Sequence, residues 1–202
     1  DRRQVFVGLG GALLPVHAEA QPATAADLSF PQKVAIGAEL RAKKFEIYDP
    51  AYVRLAYPGG DVSDDRGVCT DTVIRAFRHA GVDLQVEVHE DMRGSFTAYP
   101  KMWGLTKPDR NIDHRRVPNL ECYFERQGLE REAPGTREDW QAGDLVTMRL
   151  GGRLPHIAIF SGHHPLTGKA MFIHNIGGGT REDELYADYD SPRRFRFAPP
   201  EG

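Results

Sequence analysis

The stretch that decides the reading is Gly67-Val68-Cys69-Thr70-Asp71-Thr72-Val73-Ile74-Arg75-Ala76-Phe77-Arg78-His79-Ala80-Gly81. It follows a loop rich in Gly and Asp, Pro58 to Arg66. Val73, Ile74, Phe77 and Ala80 fall at helical spacing on one face, and Gly81 is a stop signal. The spacing predicts a helix that begins at or near Cys69. The unpaired N–H groups and positive dipole end of a helix start favour a thiolate. A thiolate is the form of cysteine that attacks carbon. For this residue alone, a buried cysteine acting as a small hydrophobe is the plainer alternative.

A thiol nucleophile needs a base. Two histidines lie downstream, in Leu154-Pro155-His156-Ile157-Ala158-Ile159-Phe160 and Met171-Phe172-Ile173-His174-Asn175-Ile176. Both segments are apolar and β-branched and read as strands. The link His163-His164-Pro165-Leu166-Thr167-Gly168 is turn-like, so the two predict an antiparallel hairpin. A turn centred near Pro165 sets His156 opposite His174. A centre half a residue later sets it opposite Asn175. Cysteine, histidine and an orienting polar group are the parts of a cysteine-nucleophile triad.

Composition bounds the rest. Forty per cent hydrophobic and 27% charged residues in a 202-residue chain are ordinary for a globular domain. A net charge of −3 gives no basic excess for nucleic acid or an anionic membrane surface. The two cysteines, Cys69 and Cys122, are either one disulfide or one reactive and one buried residue. Cys122 sits in the apolar run Leu120 to Phe124 and reads as core. No CxxC or Cys/His zinc spacing is present. His89, Glu90, Asp91, Asp113 and His114 match no metal motif and read as a solvated surface or a polar network. No metal or other cofactor is expected.

Along the chain, Arg2-Arg3 precedes an apolar run from Val5 to Val16, and Ala18-Glu19-Ala20 follows as a small-x-small pattern. Residues 1–29 therefore read as a twin-arginine-like export signal and linker. The run is too short to span a bilayer. The expectation is an exported protein of the periplasm or cell envelope, without stable membrane insertion and monomeric. Residues 30–202 read as one domain. Phe30 to Phe45 predicts a helix. Tyr48, Tyr52 and Tyr57 follow as aromatics available to line a groove. Val82 to Val88 reads as a strand or an extended loop. Val117 to Gly128 predicts a helix, and residues 130–139 a loop. Strands are expected at Gly143–Leu150, His156–Gly162, Ala170–Ile176 and Arg193–Phe197, with Gly177-Gly178-Gly179 breaking the sheet. Helices first and an antiparallel sheet last is an α+β pattern. Arg115 and Arg116 are candidates to clamp a substrate carboxylate, and Trp103 to wall a groove.

These strings resemble the NlpC-type branch of the papain-like cysteine peptidases. That branch shows Asp-Cys-Ser-Gly at its nucleophile, Gly-Asp-Leu-Val before its sheet, His-Val-Gly-Ile at its catalytic histidine and Phe-Ile-His at its third residue. Here stand Cys69, Gly143-Asp144-Leu145-Val146, His156-Ile157-Ala158-Ile159 and Phe172-Ile173-His174. Tyr57 precedes Cys69 by twelve residues and Gly59-Gly60 follow it, as in the family. Pro58 to Val62, Gly67 to Asp71, Asn111 to Leu120 and His174 to Gly177 are also similar to an uncharacterised bacterial family assigned to that superfamily. The resemblance covers residues 35–198. Two departures stand out. Thr70-Asp71 replaces Ser-Gly, and residues 82–139 form a long insertion.

The resemblance implies a papain-like α+β fold, with the cysteine helix packed on the C-terminal sheet. It implies a thiol amidohydrolase acting on peptides, above all peptidoglycan stem peptides. Cys69 would be the nucleophile, His156 the base and His174 its orienter, with Asn175 as the alternative orienter. Tyr57 and the Cys69 backbone would serve the oxyanion, and Asp71 would border the groove. Two other readings use the same residues: a non-catalytic envelope-binding module, and an acyltransferase that passes its thioester to an amine.

Overall fold

The computed structural model describes residues 28–132, 139–185 and 190–198. Residues 1–27 of the segment expected to be an export signal and linker, and residues 133–138 of the expected 130–139 loop, lie outside them. The first helix, α1 (Phe30–Ala42), starts on a capping box. Ser29 accepts the Gln32 N–H while the Gln32 side chain accepts the Ser29 N–H, so two orphan donors are satisfied at once. It ends three residues earlier than expected, leaving Phe45 exposed. Strand β1 (Ile47–Tyr48) pairs in parallel with β2 (Arg66–Gly67). This pairing ties the chain after α1 to the residues just before Cys69.

Helix α2 (Cys69–His79) begins at the cysteine. Gly81 follows with φ +95°, a left-handed conformation that glycine adopts without strain, and the helix stops there. Residues 82–88, expected as a strand or an extended loop, differ. From Leu84 they belong to helix α3 (Leu84–Ser95). The Asp83 side chain caps the Gln85 N–H. Leu84, Val88 and Met92 recur every four residues and are all buried. Short 3₁₀ turns at Phe96–Ala98 and Asp113–Arg115 lead into α4 (Val117–Arg126).

The sheet comprises β3 (Glu130–Arg131), β4 (Leu145–Leu150), β5 (Leu154–His163), β6 (Ala170–Asn175), β7 (Thr180–Asp183) and β8 (Asp190–Phe195). Its spatial order is β3-β8-β4-β5-β6-β7, antiparallel throughout. The fold is α+β. The triple glycine does not end the sheet. It makes the turn into β7.

Alternation sorts the strands into two faces. Leu145, Ile157, Ile159, Ile173 and Phe195 pack with Ile74, Phe77 and Phe124 of the helices. Val146, Met148, Ala158, Phe160 and Phe172 pack with Trp140 and Leu185 on the other face. Gly143 lets the sheet meet α1. At its φ of +91° a Cβ would sit 2.1 Å from the Pro31 carbonyl oxygen.

Candidate active site

Cys69 occupies the first turn of α2, and that turn is fixed from below. Asp71 accepts the Val68 N–H at 2.7 Å, satisfying a donor the helix cannot use. Arg115 grips the same carboxylate with two bonds, Nε to Oδ1 at 2.8 Å and Nη2 to Oδ2 at 2.9 Å. Thr70 donates its hydroxyl to the Arg115 carbonyl. The cysteine helix is thus pinned to the 3₁₀ turn at Asp113–Arg115.

The thiol reaches the sheet at a fork. Phe160 turns its N–H to Asp144 and its carbonyl to Gly143, on the β4 side. Backbone direction alternates along a strand, so Ile157 turns its N–H toward β6. The β5–β6 pairing reaches Ile159–Ile173 and goes no further toward that end. Beyond it, the Ile157 N–H faces the Cys69 sulfur and favours its charged form. The nucleophile candidate therefore lies against the residue that follows His156, past the point where the two histidine strands part.

The two histidines meet across this fork. Residues paired between β5 and β6 have numbers that sum to 332 there, and 333 near the turn, with Ser161 the extra residue of a bulge. His156 is therefore opposite neither His174 nor Asn175. Continuing the register sets His174 opposite Ala158, and His156 is its diagonal neighbour on the same face. Diagonal spacing suffices for two imidazoles. His156 Nε2 lies 3.1 Å from His174 Nδ1, with the rings nearly perpendicular. His174 Nε2 then faces Asp183 Oδ2 of β7 at 3.4 Å, an ion-pair distance without a directed hydrogen bond. Asp183 is in turn held by Arg181.

Burial dominates the protonation of these groups. It pushes the Cys69 thiol up to about 11, against the pull of the Ile157 N–H and the helix start, with Asp71 adding to the rise. Burial also pushes His156 down to about 3 and His174 to about 4, with Arg181 adding to both and Asp183 opposing at His174. The thiol and both imidazoles therefore rest neutral. The helix start favours the thiolate as expected, but desolvation outweighs it.

A groove of about 360 Å³ opens over Cys69. Tyr48, Pro50, Leu154 and Pro155 line one part, and Trp103 and Arg116 line another. The Arg116 guanidinium lies 4.0 Å from the Trp103 ring centre and bonds Asp113. Tyr48 senses the sulfur directly, since burial and the Cys69 charge both raise its hydroxyl pKa.

Four proposed roles fall to different residues or change character. Tyr57 is absent from this groove, and its hydroxyl donates to Glu90 at 2.7 Å. Tyr48, not Tyr57, is the phenol beside the thiol. Asn175 points to the opposite face from His174, bonding Glu46 and the Gly67 carbonyl, so it cannot orient His156. Asp71 and Arg115 neutralise each other below the groove, with both side chains 2% exposed, so Arg115 is not a free carboxylate clamp. Cys122 is half-buried and both cysteines are free.

Sequence reasoning missed two residues. Asp183 was hidden because the triple glycine was read as a break, although glycines between two strands also signal a hairpin. Glu46 carried no signal at all. It is buried and takes bonds from Arg41, Arg75, Asn175 and Thr180, joining both sides of the β6–β7 turn to the helices. The acidic residues of the two clusters are paired, whereas His89 Nδ1 and His114 Nδ1 are buried without a hydrogen-bond partner. Asp91 binds Arg126 and Tyr99, Glu90 binds Tyr57 and Arg93, and Asp113 binds Arg116. Among the described residues no three metal-ligating side chains converge, and no helix is long and apolar enough to cross a membrane.

Comparison with known proteins adds a family. Residues 35–197 match the domain family described as a domain of unknown function, DUF1287. "Uncharacterized protein YijF" of Escherichia coli (strain K12) is 47% identical over 164 residues, which cover 81% of this chain and 80% of that protein.

Proposed function

The chain belongs to the DUF1287 family, and from its site we propose that it is a thiol amidohydrolase of the NlpC-type, papain-like class. The observation that carries the proposal is the His156–His174–Asp183 chain on the strand whose next residue, Ile157, turns its N–H to the Cys69 thiol. The reading further takes the protein to be exported, and its substrate to be a peptide of the cell envelope, a peptidoglycan stem peptide first. The twin-arginine-like segment and the NlpC-like strings support that part.

The tautomers follow from the chain of contacts. Asp183 Oδ2, 3.4 Å from His174 Nε2, favours the proton on that nitrogen, which makes Nδ1 the acceptor. His156 must then donate Nε2–H to it, which leaves His156 Nδ1 unprotonated and available to the thiol. As Cys69 Sγ attacks the amide carbon, its proton passes to His156 Nδ1. The negative oxygen of the tetrahedral intermediate is stabilised by the Cys69 N–H and the Tyr48 hydroxyl. Collapse breaks the C–N bond, and His156 returns the proton to the leaving amine. Water then attacks the thioester, with His156 again taking the proton, and the acid leaves as Cys69 recovers its own.

The test is release of free amines from purified peptidoglycan fragments. Cys69→Ala should abolish it. Tyr48→Phe should slow it by about ten- to a hundredfold, the scale of one oxyanion donor or less, and Tyr57→Phe should leave it unchanged. Full activity in Cys69→Ala would overturn the mechanism. Tight sacculus binding without product would favour a binding module, and amine adducts of the fragments would favour acyl transfer.

A further inference from the structure

A second and larger cavity, about 630 Å³, lies beside the cysteine groove. The loop 103–112 separates the two. Its ends, Trp103 and Ile112, line the groove, and Gly104 to Asn111 line the cavity. The cavity wall is cationic. Arg54, Lys107 and Arg110 line it, against one carboxylate, Asp109. Three positive groups less one negative leave +2, in a chain whose formal net charge is −3.

These cations are not spent on protein partners. Neither Arg54 nor Lys107 has a side-chain hydrogen bond or ion pair among the described residues. The Arg110 guanidinium only stands over the Tyr57 ring, 5.5 Å from its centre. The one carboxylate, by contrast, is fully occupied. Asp109 accepts from the Tyr52 hydroxyl at 3.0 Å and from the backbone and side-chain nitrogens of Asn111 at 2.9 and 2.7 Å. Several arginines elsewhere are paired with acids, as Arg75, Arg115, Arg126, Arg149 and Arg193 are, whereas Arg131 bonds only backbone carbonyls. A concave wall of unpaired like charges focuses its field on the space it encloses, and guanidinium forks match planar oxyanions.

We propose that this cavity is an oxyanion-binding subsite, and that its ligand is a carboxylate of the molecule whose amide bond enters the Cys69 groove. The link to one substrate rests on the hydrolase reading, whereas anion binding by the cavity does not. A phosphoryl group carries the same chemistry, and the test separates the two sources.

The intact chain is titrated by NMR with N-acetylglutamate, with its uncharged diamide and with inorganic phosphate. N-acetylglutamate is expected to shift the backbone amides of residues 104–111 while the diamide does not. Arg54→Gln combined with Lys107→Gln removes two unpartnered surface charges and should weaken binding at least about tenfold. Added salt should weaken it as well. Phosphate binding more tightly than the dicarboxylate would keep the subsite and make a phosphoryl group its ligand. Equal shifts from the diamide, or unchanged affinity in the double variant, would overturn the proposal. Alkylation of Cys69 by neutral iodoacetamide in the same samples reads the hydrolase mechanism separately. A Cys69 that stays inert even at pH 10 would sink that mechanism and leave the anion result standing.

Discussion

His156 and His174 bond through Nε2 and Nδ1 at 3.1 Å, although the register makes them diagonal neighbours. A directly facing pair at that point would require the strands to stay paired. The diagonal arrangement instead lets the two rings bond where the strands have already parted.

The first prediction concerns Asp183. It fixes the tautomer of His174 and, through it, that of His156. Asp183→Asn should reduce amide hydrolysis by about ten- to a hundredfold, less than the roughly 10⁴-fold seen when a fully buried triad carboxylate is neutralised, because Asp183 is 41% exposed and sits at 3.4 Å. Substrate KM should stay unchanged. An equal loss from Arg181→Gln with no effect of Asp183→Asn would place the orienting role elsewhere.

Cys69 alkylation should depend on pH as a buried neutral thiol does. With the thiol pushed up to about 11 and His156 down to about 3, the free protein holds no resting ion pair. The iodoacetamide rate at Cys69 should therefore climb steadily from pH 6 to pH 10. A plateau reached by pH 6, lost in His156→Ala, would show a resting thiolate–imidazolium pair.

Acid should destabilise the fold above the carboxylate range. His114 is pushed down to about 3 by burial, alongside His156 at about 3 and His174 at about 4. The unfolded chain binds these protons near pH 6.5 and the folded one does not. The stability they contribute is present above pH 6.5 and is lost as pH falls through the folded values. Tm should hold from pH 8 to 7 and fall between 6.5 and 4. His114→Gln should flatten that fall. A Tm independent of pH over this window would show the three rings to be hydrated.

Breaking the ion pair beneath the cysteine should be costly. Arg115→Met leaves Asp71 buried without its bidentate partner and should destabilise the fold by about 3–5 kcal/mol in denaturant unfolding. Adding Asp71→Asn should recover part of that loss, since it removes the uncompensated charge. Additive losses in the double variant would mean that the two side chains act independently.

Local pattern carried much of this protein. The helix that begins at Cys69, its stop at Gly81, both histidine strands and the α+β order were legible because each depends on a few consecutive residues. Residues 82–88 point to a strand or extended loop because Val82, Leu84, Val86 and Val88 alternate as well as they repeat every four. The helix won through the Asp83 cap and the burial of Met92, which lies beyond the alternating run.

What the chain alone determined, then, was which residue types stand on which elements. Tertiary structure decided which of them meet. The bulge at Ser161 moved the hairpin register. The path of the loop after α1 set Tyr48 rather than Tyr57 beside the thiol. The turn after β6 brought Asp183 to His174. Burial reversed the sign of the cysteine's pKa shift. Register, partner choice and dielectric environment are sums over contacts distant in sequence, and no local periodicity encodes them.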